Sequence, residues 1–194
     1  IKPCYVSAGK EPRELEDIVV EGDGFAQLST VEVLIDGVVV ATAPTGSIGE
    51  FRGEIDAPYQ RRDERPFTLT VQNQGDPASA VSLASRVTAL TVRLHPKKAA
   101  PSDRVRFLGR GFTAGGPIFG HYVYRGEHRK TVRLVKRTRS DCGKFNVRRK
   151  QIPVRRARVG RWTLQVDGRR DYAAPPGTTW VLIDLPVRTV FLEP

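Results

Sequence analysis

Apolar and polar residues alternate along most of this chain in short runs, and most runs stop at or near a glycine, a proline or an Asp-Gly pair. A period of two marks half-buried strands, because successive side chains of a strand point to opposite faces of a sheet. Strands are expected over 3–7, 17–21, 31–35, 38–41, 49–55, 67–72 and 80–84, and again over 88–94, 104–108, 116–124, 130–136, 144–149, 162–166 and 180–185. Asp36-Gly37 lies between two such runs and predicts a tight hairpin, since this pair accepts the positive φ angles of a two-residue turn. Arg125-Gly126 and Asp167-Gly168 are turn signals of the same kind, Gly9-Lys10-Glu11-Pro12 reads as a charged turn, and 60–66 reads as a polar loop. No window carries a sustained apolar period of 3.6 residues, so little helix is expected.

One order of residues occurs twice. Gly22-Asp23-Gly24-Phe25, the Asp36-Gly37 hairpin, Gly49-Glu50-Phe51 and Phe67-Thr68-Leu69-Thr70-Val71 return as Gly109-Arg110-Gly111-Phe112, Tyr122-Val123-Tyr124, Gly143-Lys144-Phe145 and Trp162-Thr163-Leu164-Gln165-Val166. Two copies of one β-unit in 194 residues imply two domains, each able to bury its own core. The boundary falls after Thr88, giving 1–88 and 89–194, with 88–94 as the opening strand of the second domain. About seven strands per copy, at hairpin spacing, make the fold all-β, two tandem β-sandwiches. In each copy a glycine turns the chain so that Phe25 or Phe112 folds over one end of the core. Phe51 with Phe67, and Phe145 with Trp162, fill the two cores from facing strands.

The order Gly22-x-Gly24-Phe25, Asp-Gly hairpin, Gly49-x-Phe51 and Phe67-Thr68-Leu69-Thr70-Val71 resembles the bacterial Ig-like domains of the IPT/TIG kind, and the second copy resembles them too. The likeness covers nearly the whole chain and implies a secreted or cell-surface protein. It does not imply one activity, since such modules serve as spacers, adhesins, accessory domains of enzymes and virion decorations. The second copy departs from the pattern in an extra basic segment between Lys130 and Arg161.

Charge separates the two copies. Residues 1–88 carry 8 Lys and Arg against 14 Asp and Glu, a balance of −6, whereas residues 89–194 carry 24 against 7, a balance of +17. A single-sign field of that size repels itself and is offset by an anionic partner. The densest stretch holds Arg129, Lys130, Arg133, Arg137, Arg139, Arg148, Arg149, Arg155, Arg156 and Arg158, interleaved with Val132, Leu134, Phe145, Val147, Ile152 and Val154. This alternation is expected to turn the apolar residues inward and line one outer sheet face with cations, which are the candidate partner-binding residues. Arginine dominates, and its planar fork suits carboxylate or phosphate.

Cys4 and Cys142 are the two cysteines. They are either a bridge or two buried thiols, and an oxidising compartment favours the bridge. The chain begins at Ile1 and lacks methionine, which reads as a processed product, and no stretch approaches the ~18 apolar residues of a membrane helix.

Candidates for chemistry are few. The serines of the second copy, Ser102 and Ser140, lie in no nucleophile-elbow pattern, so no catalytic triad is expected. His121 and His128, with Glu127 adjacent, could meet across a hairpin, yet no third metal ligand is indicated. Glu14, Glu16, Asp17, Glu21 and Asp23 lack the compact loop that calcium needs and read as a solvated acidic face. A basic sheet near Tyr122, Tyr124 and Tyr172 would suit single-stranded nucleic acid, but no RNP, KH or helix-turn-helix pattern accompanies it. The expectation is therefore a non-enzymatic, extracytoplasmic structural or interaction protein without metal or cofactor. Its basic second domain docks on an acidic protein surface, including domain 1 of another copy in a head-to-tail array. The alternative is a module for an anionic envelope polymer or nucleic acid, or an accessory or virion decoration subunit.

Overall fold

The computed structural model describes residues 1–7, 15–174 and 179–188. The chain divides into two compact units, Ile1–Ala89 and Leu90–Pro194. Among the described residues there are strands and turns and no helix.

The first unit contains β1 (Tyr5–Ser7), β2 (Asp17–Gly22), β3 (Thr30–Ile35), β4 (Val38–Pro44), β5 (Phe51–Asp56), β6 (Glu64–Asn73) and β7 (Asp76–Ala89). They form a five-stranded sheet, ordered β1-β7-β6-β3-β4, and a two-stranded sheet of β2 and β5. One core takes side chains from both: Ile18, Val20, Phe51 and Ile55 from the small sheet, and Tyr5, Val31, Val33, Phe67, Leu69 and Val87 from the large one. The second unit contains β8 (Thr91–His95), β9 (Arg104–Arg110), β10 (Ile118–Tyr124), β11 (Glu127–Val135), β12 (Phe145–Lys150), β13 (Gly160–Asp167) and β14 (Trp180–Val187). Here a four-stranded sheet, β11-β10-β13-β14, and a three-stranded sheet, β12-β9-β8, enclose Leu94, Val105, Phe107, Tyr122, Leu134, Phe145, Trp162 and Leu164. In each unit two sheets share one core, an arrangement consistent with a β-sandwich.

The repeated glycines do repeated work. Asp36-Gly37 and Arg125-Gly126 both take positive φ in their hairpins, 50° and 83° in one, 51° and 80° in the other. Gly49 and Gly143 are left-handed as well, and a Cβ on either would lie 2.1 or 1.6 Å from the carbonyl oxygen of Phe25 or Phe112. That approach seats Phe25 edge-on to Phe51 at 5.4 Å and Phe112 against Phe145 at 5.6 Å. Phe51 and Phe67, and Phe145 and Trp162, fill the two cores from facing sheets as expected, and within them Phe67 meets Tyr5 and Trp162 meets Tyr124 at 4.9 Å.

Two expectations are corrected. Residues 80–84 and 88–89 belong to one strand of 14 residues, β7, and the break comes at Leu90, so Thr88 and Ala89 close the first unit. The reason is pairing: β6 runs beside β7 from Thr88 back to Asp76, and β1 adds Val87, Thr88 and Ala89 in parallel register. Glu64–Pro66, read as loop, opens β6 for the same reason. The turn at 9–12 and Glu14 lie outside the described residues.

Candidate functional site

The cations expected on one sheet face are divided among several surfaces, because β11 and β12 are edge strands of different sheets. On β11, Arg133 pairs with Phe119 and faces outward from the four-stranded sheet, whereas Lys130 pairs with Tyr122 and shares its inward face. Arg129 falls at the β-bulge between Lys130 and His128 and is ion-paired with Glu127. Arg149 donates to the carbonyls of Leu134, at 3.0 Å, and Arg148, so it staples one edge strand to the other. Arg137 is exposed in the turn after β11. Arg139 bridges to Lys144 and lines a hollow of about 350 Å³ with Arg93, Arg110 and Lys144. Arg158 uses its carbonyl to accept from the Trp162 indole at 2.9 Å while its side chain is exposed.

Arg148 belongs to a surface that the dense basic stretch did not reveal. In β9 the sequence Arg104-Val105-Arg106-Phe107 buries the apolar residues and exposes the arginines. Register then places Arg148 directly opposite Arg106, Arg106 opposite His95, Lys150 opposite Arg104, and Arg93 opposite Leu108. The outer face of the three-stranded sheet is thus a ladder of Arg93, Arg104, Arg106, Arg148 and Lys150, and none of its outward positions on β8, β9 and β12 carries a carboxylate. Directly opposed side chains start from Cβ atoms about 5 Å apart, and successive rungs lie about 6.7 Å apart along the strands. Like charges so placed oppose folding, and a carboxylate or phosphate surface would relieve them. The signal was the arginine alternation in β9, some forty residues upstream of its partners.

The small sheet of the first unit carries the opposite sign. Asp17 lies opposite Asp56, Val19 opposite Glu54, and Glu21 opposite Arg52, with which it is ion-paired; all six are exposed. Three carboxylates, Asp17, Glu54 and Asp56, therefore stand together on that face.

The histidines form a polar cluster across the four-stranded sheet. His121 is fully buried. Its Nε2 faces two acceptors, Asp167 Oδ1 and the Arg169 carbonyl, both at 3.2 Å, so this nitrogen carries the proton. Nδ1 then accepts from Thr131 Oγ1 at 2.8 Å, and His128 Nε2 donates to the same hydroxyl at 3.0 Å. His128 stacks on Tyr172 at 4.9 Å. Burial alone would push the Asp167 carboxyl up, but hydrogen bonds from His121, Gln165 and the Arg169 amide outweigh it and hold the group below its ordinary range. The chain Asp167-His121-Thr131 joins β10, β11 and β13 to the segment after Asp167. Glu127, considered with these histidines, turns instead to Arg129. Among the described residues no group of three His, Cys, Asp or Glu side chains is placed to hold a metal.

Tyr122 and Tyr124 are buried, at 0% and 4% exposure, so neither offers a face for a stacked base. Burial pushes the Tyr122 phenol up, well above its ordinary range. Cys4 and Cys142 are both disulfide-bonded, and no cysteine is free. No helix of the described residues is long and apolar enough to cross a membrane.

No protein-family model matches the chain, and no curated protein matches it. Among solved structures, a crystal structure of a mutant Salmonella alpha-2-macroglobulin aligns with 96% of this chain at 14% identity and a TM-score of 0.30. The chain spans 14% of the length of that protein.

Proposed function

We propose that this is a non-enzymatic, extracytoplasmic interaction protein of two immunoglobulin-like domains, which docks through the cation ladder of its second unit onto an acidic surface. The observation that carries the reading is the pair of opposed ladders: arginines across β9 and β12 of one unit, carboxylates across β2 and β5 of the other. Each puts like charges directly across a strand pair, at a cost to its own unit that a complementary face offsets. The acidic ladder of another copy is such a face. Because the two patches differ, the contact is heterologous and runs head to tail, into rings or filaments. The disulfide suits an oxidising compartment.

The test is mass by light scattering across protein concentration at low ionic strength. Wild type should grow with concentration and return to single copies at high salt. Arg106→Glu with Arg148→Glu, and separately Asp56→Arg with Glu54→Arg, should each remain single. Mixed together, they should form two-copy complexes, since each keeps one intact face. Wild type that stays single at every concentration refutes self-docking.

A further inference from the structure

A second cationic site lies beside the ladder, and it is concave. A cleft of about 490 Å³ is lined by Lys130, Lys150, Arg155 and Arg156 over a floor of Ile152, Pro153, Val154 and Ala157. The four cations come from three places in the fold: Lys130 from β11, Lys150 from the end of β12, and the two arginines from the loop that follows. Among the described residues no carboxylate lines the cleft, and none of the four cations has an ion-pair partner. Four like charges around one hollow repel one another, and this repulsion is strongest when the hollow holds no anion.

The loop is held at both ends. The Gln151 and Ile152 amides donate to the Asp103 and Pro101 carbonyls at 2.8 and 2.9 Å. At the far end the Arg158 and Val159 carbonyls accept from Trp162 and Tyr124, each at 2.9 Å. Between these anchors Arg156 takes φ of 53°, a left-handed conformation that a non-glycine residue adopts at a cost. Strain at a residue lining a cation-walled cleft, in a loop fixed on both sides, is the pattern of a preorganised anion site. The volume falls within the ordinary range for small-molecule clefts.

We infer that this cleft binds clustered phosphate or sulfate ester groups, with the apolar floor taking the moiety that bears them. Guanidinium forks from Arg155 and Arg156 suit tetrahedral oxyanions, which accept two hydrogen bonds side by side, and the two lysines supply point charge. The inference does not rest on docking through the ladder, because a small anion can enter the cleft whether or not the flat face is covered.

Titration calorimetry with inorganic pyrophosphate in one arm and a disulfated disaccharide in the other tests it and separates the two sources. At least one should bind, with affinity falling as salt rises. Arg155→Gln and Lys130→Gln should each weaken binding about tenfold, the usual loss for one charge-assisted contact. Arg156→Gly removes the guanidinium at a φ that glycine adopts without strain, and it should also lose about tenfold. Arg106→Glu, which leaves the cleft lining intact, should bind as wild type within a few-fold, so failure of docking and failure of the cleft are told apart. If neither probe binds, or if Arg155→Gln and Arg156→Gly bind as tightly as wild type, the inference is wrong.

Discussion

Arg106 stands between Arg148 on one neighbouring strand and His95 on the other, so its replacement by glutamate should make the second unit more stable while it destroys docking. A directly opposed pair on a sheet contributes roughly 0.2–1 kcal/mol, favourable for opposite charges and unfavourable for like ones. Arg106→Glu converts one repulsive pair into an attractive pair with Arg148, and exposure to water keeps the swing to about 1 kcal/mol. For a domain of this size that is a rise in Tm of ~4 °C or more. Arg106→Gln, which removes the repulsion without adding attraction, should give about half as much. The assay is thermal unfolding by circular dichroism at low salt and again at 1 M salt, where the screening length of about 3 Å is shorter than the gap between the side chains. Both gains should vanish there. A less stable Arg106→Glu at low salt, or a gain unchanged by 1 M salt, would refute the reasoning, because the ladder would then be a set of independently solvated arginines.

Two further outcomes follow from single positions. The buried Tyr122 hydroxyl has no hydrogen-bond partner among the described residues, so Tyr122→Phe should stabilise by about 1 kcal/mol in urea unfolding. Because burial holds its phenol above the ordinary value, the unfolded chain releases this proton above about pH 10 while the folded chain keeps it; stability falls with alkali, and the Phe variant should lose that part of the slope. Gly126 and Gly143 separate conformation from crowding: Gly126→Ala meets open space and should cost about 1 kcal/mol, whereas Gly143→Ala, with its Cβ 1.6 Å from the Phe112 carbonyl oxygen, should cost at least twice that. Equal urea midpoints for the two variants would show that the close approach is not a constraint.

Strand identity was local information in this chain. Val31 and Val33 flank Glu32, Val105 and Phe107 flank Arg106, and all four apolar residues are buried where the alternation places them. Asp36-Gly37 and the doubled glycine-aromatic order likewise announced their turns, since positive φ and the room for a carbonyl are demands on single residues. Strand length was less legible. The first half of β7, Asp76–Ala84 in large part alanine and serine, has weak alternation, and its pairing with β6 decides that it is strand.

The sign of each unit's charge was legible by counting, but its arrangement was not. Alternation tells which residues of one strand share a face. It cannot tell which strands lie side by side, because sheet order is set by contacts between segments far apart in sequence. Thus Arg133 and Arg148, neighbours in a basic stretch, left on different sheets, while Arg106 and Arg148 met across one. The polar cluster of His121, Thr131, Asp167 and Tyr172 has the same origin: three strands and a following segment bring together groups with no spacing pattern of their own. Local stereochemistry therefore settled the elements and the turns in this protein. Only the tertiary pairing, which fixes register and strand order through the burial of both sheets on one core, decided where its charge is concentrated.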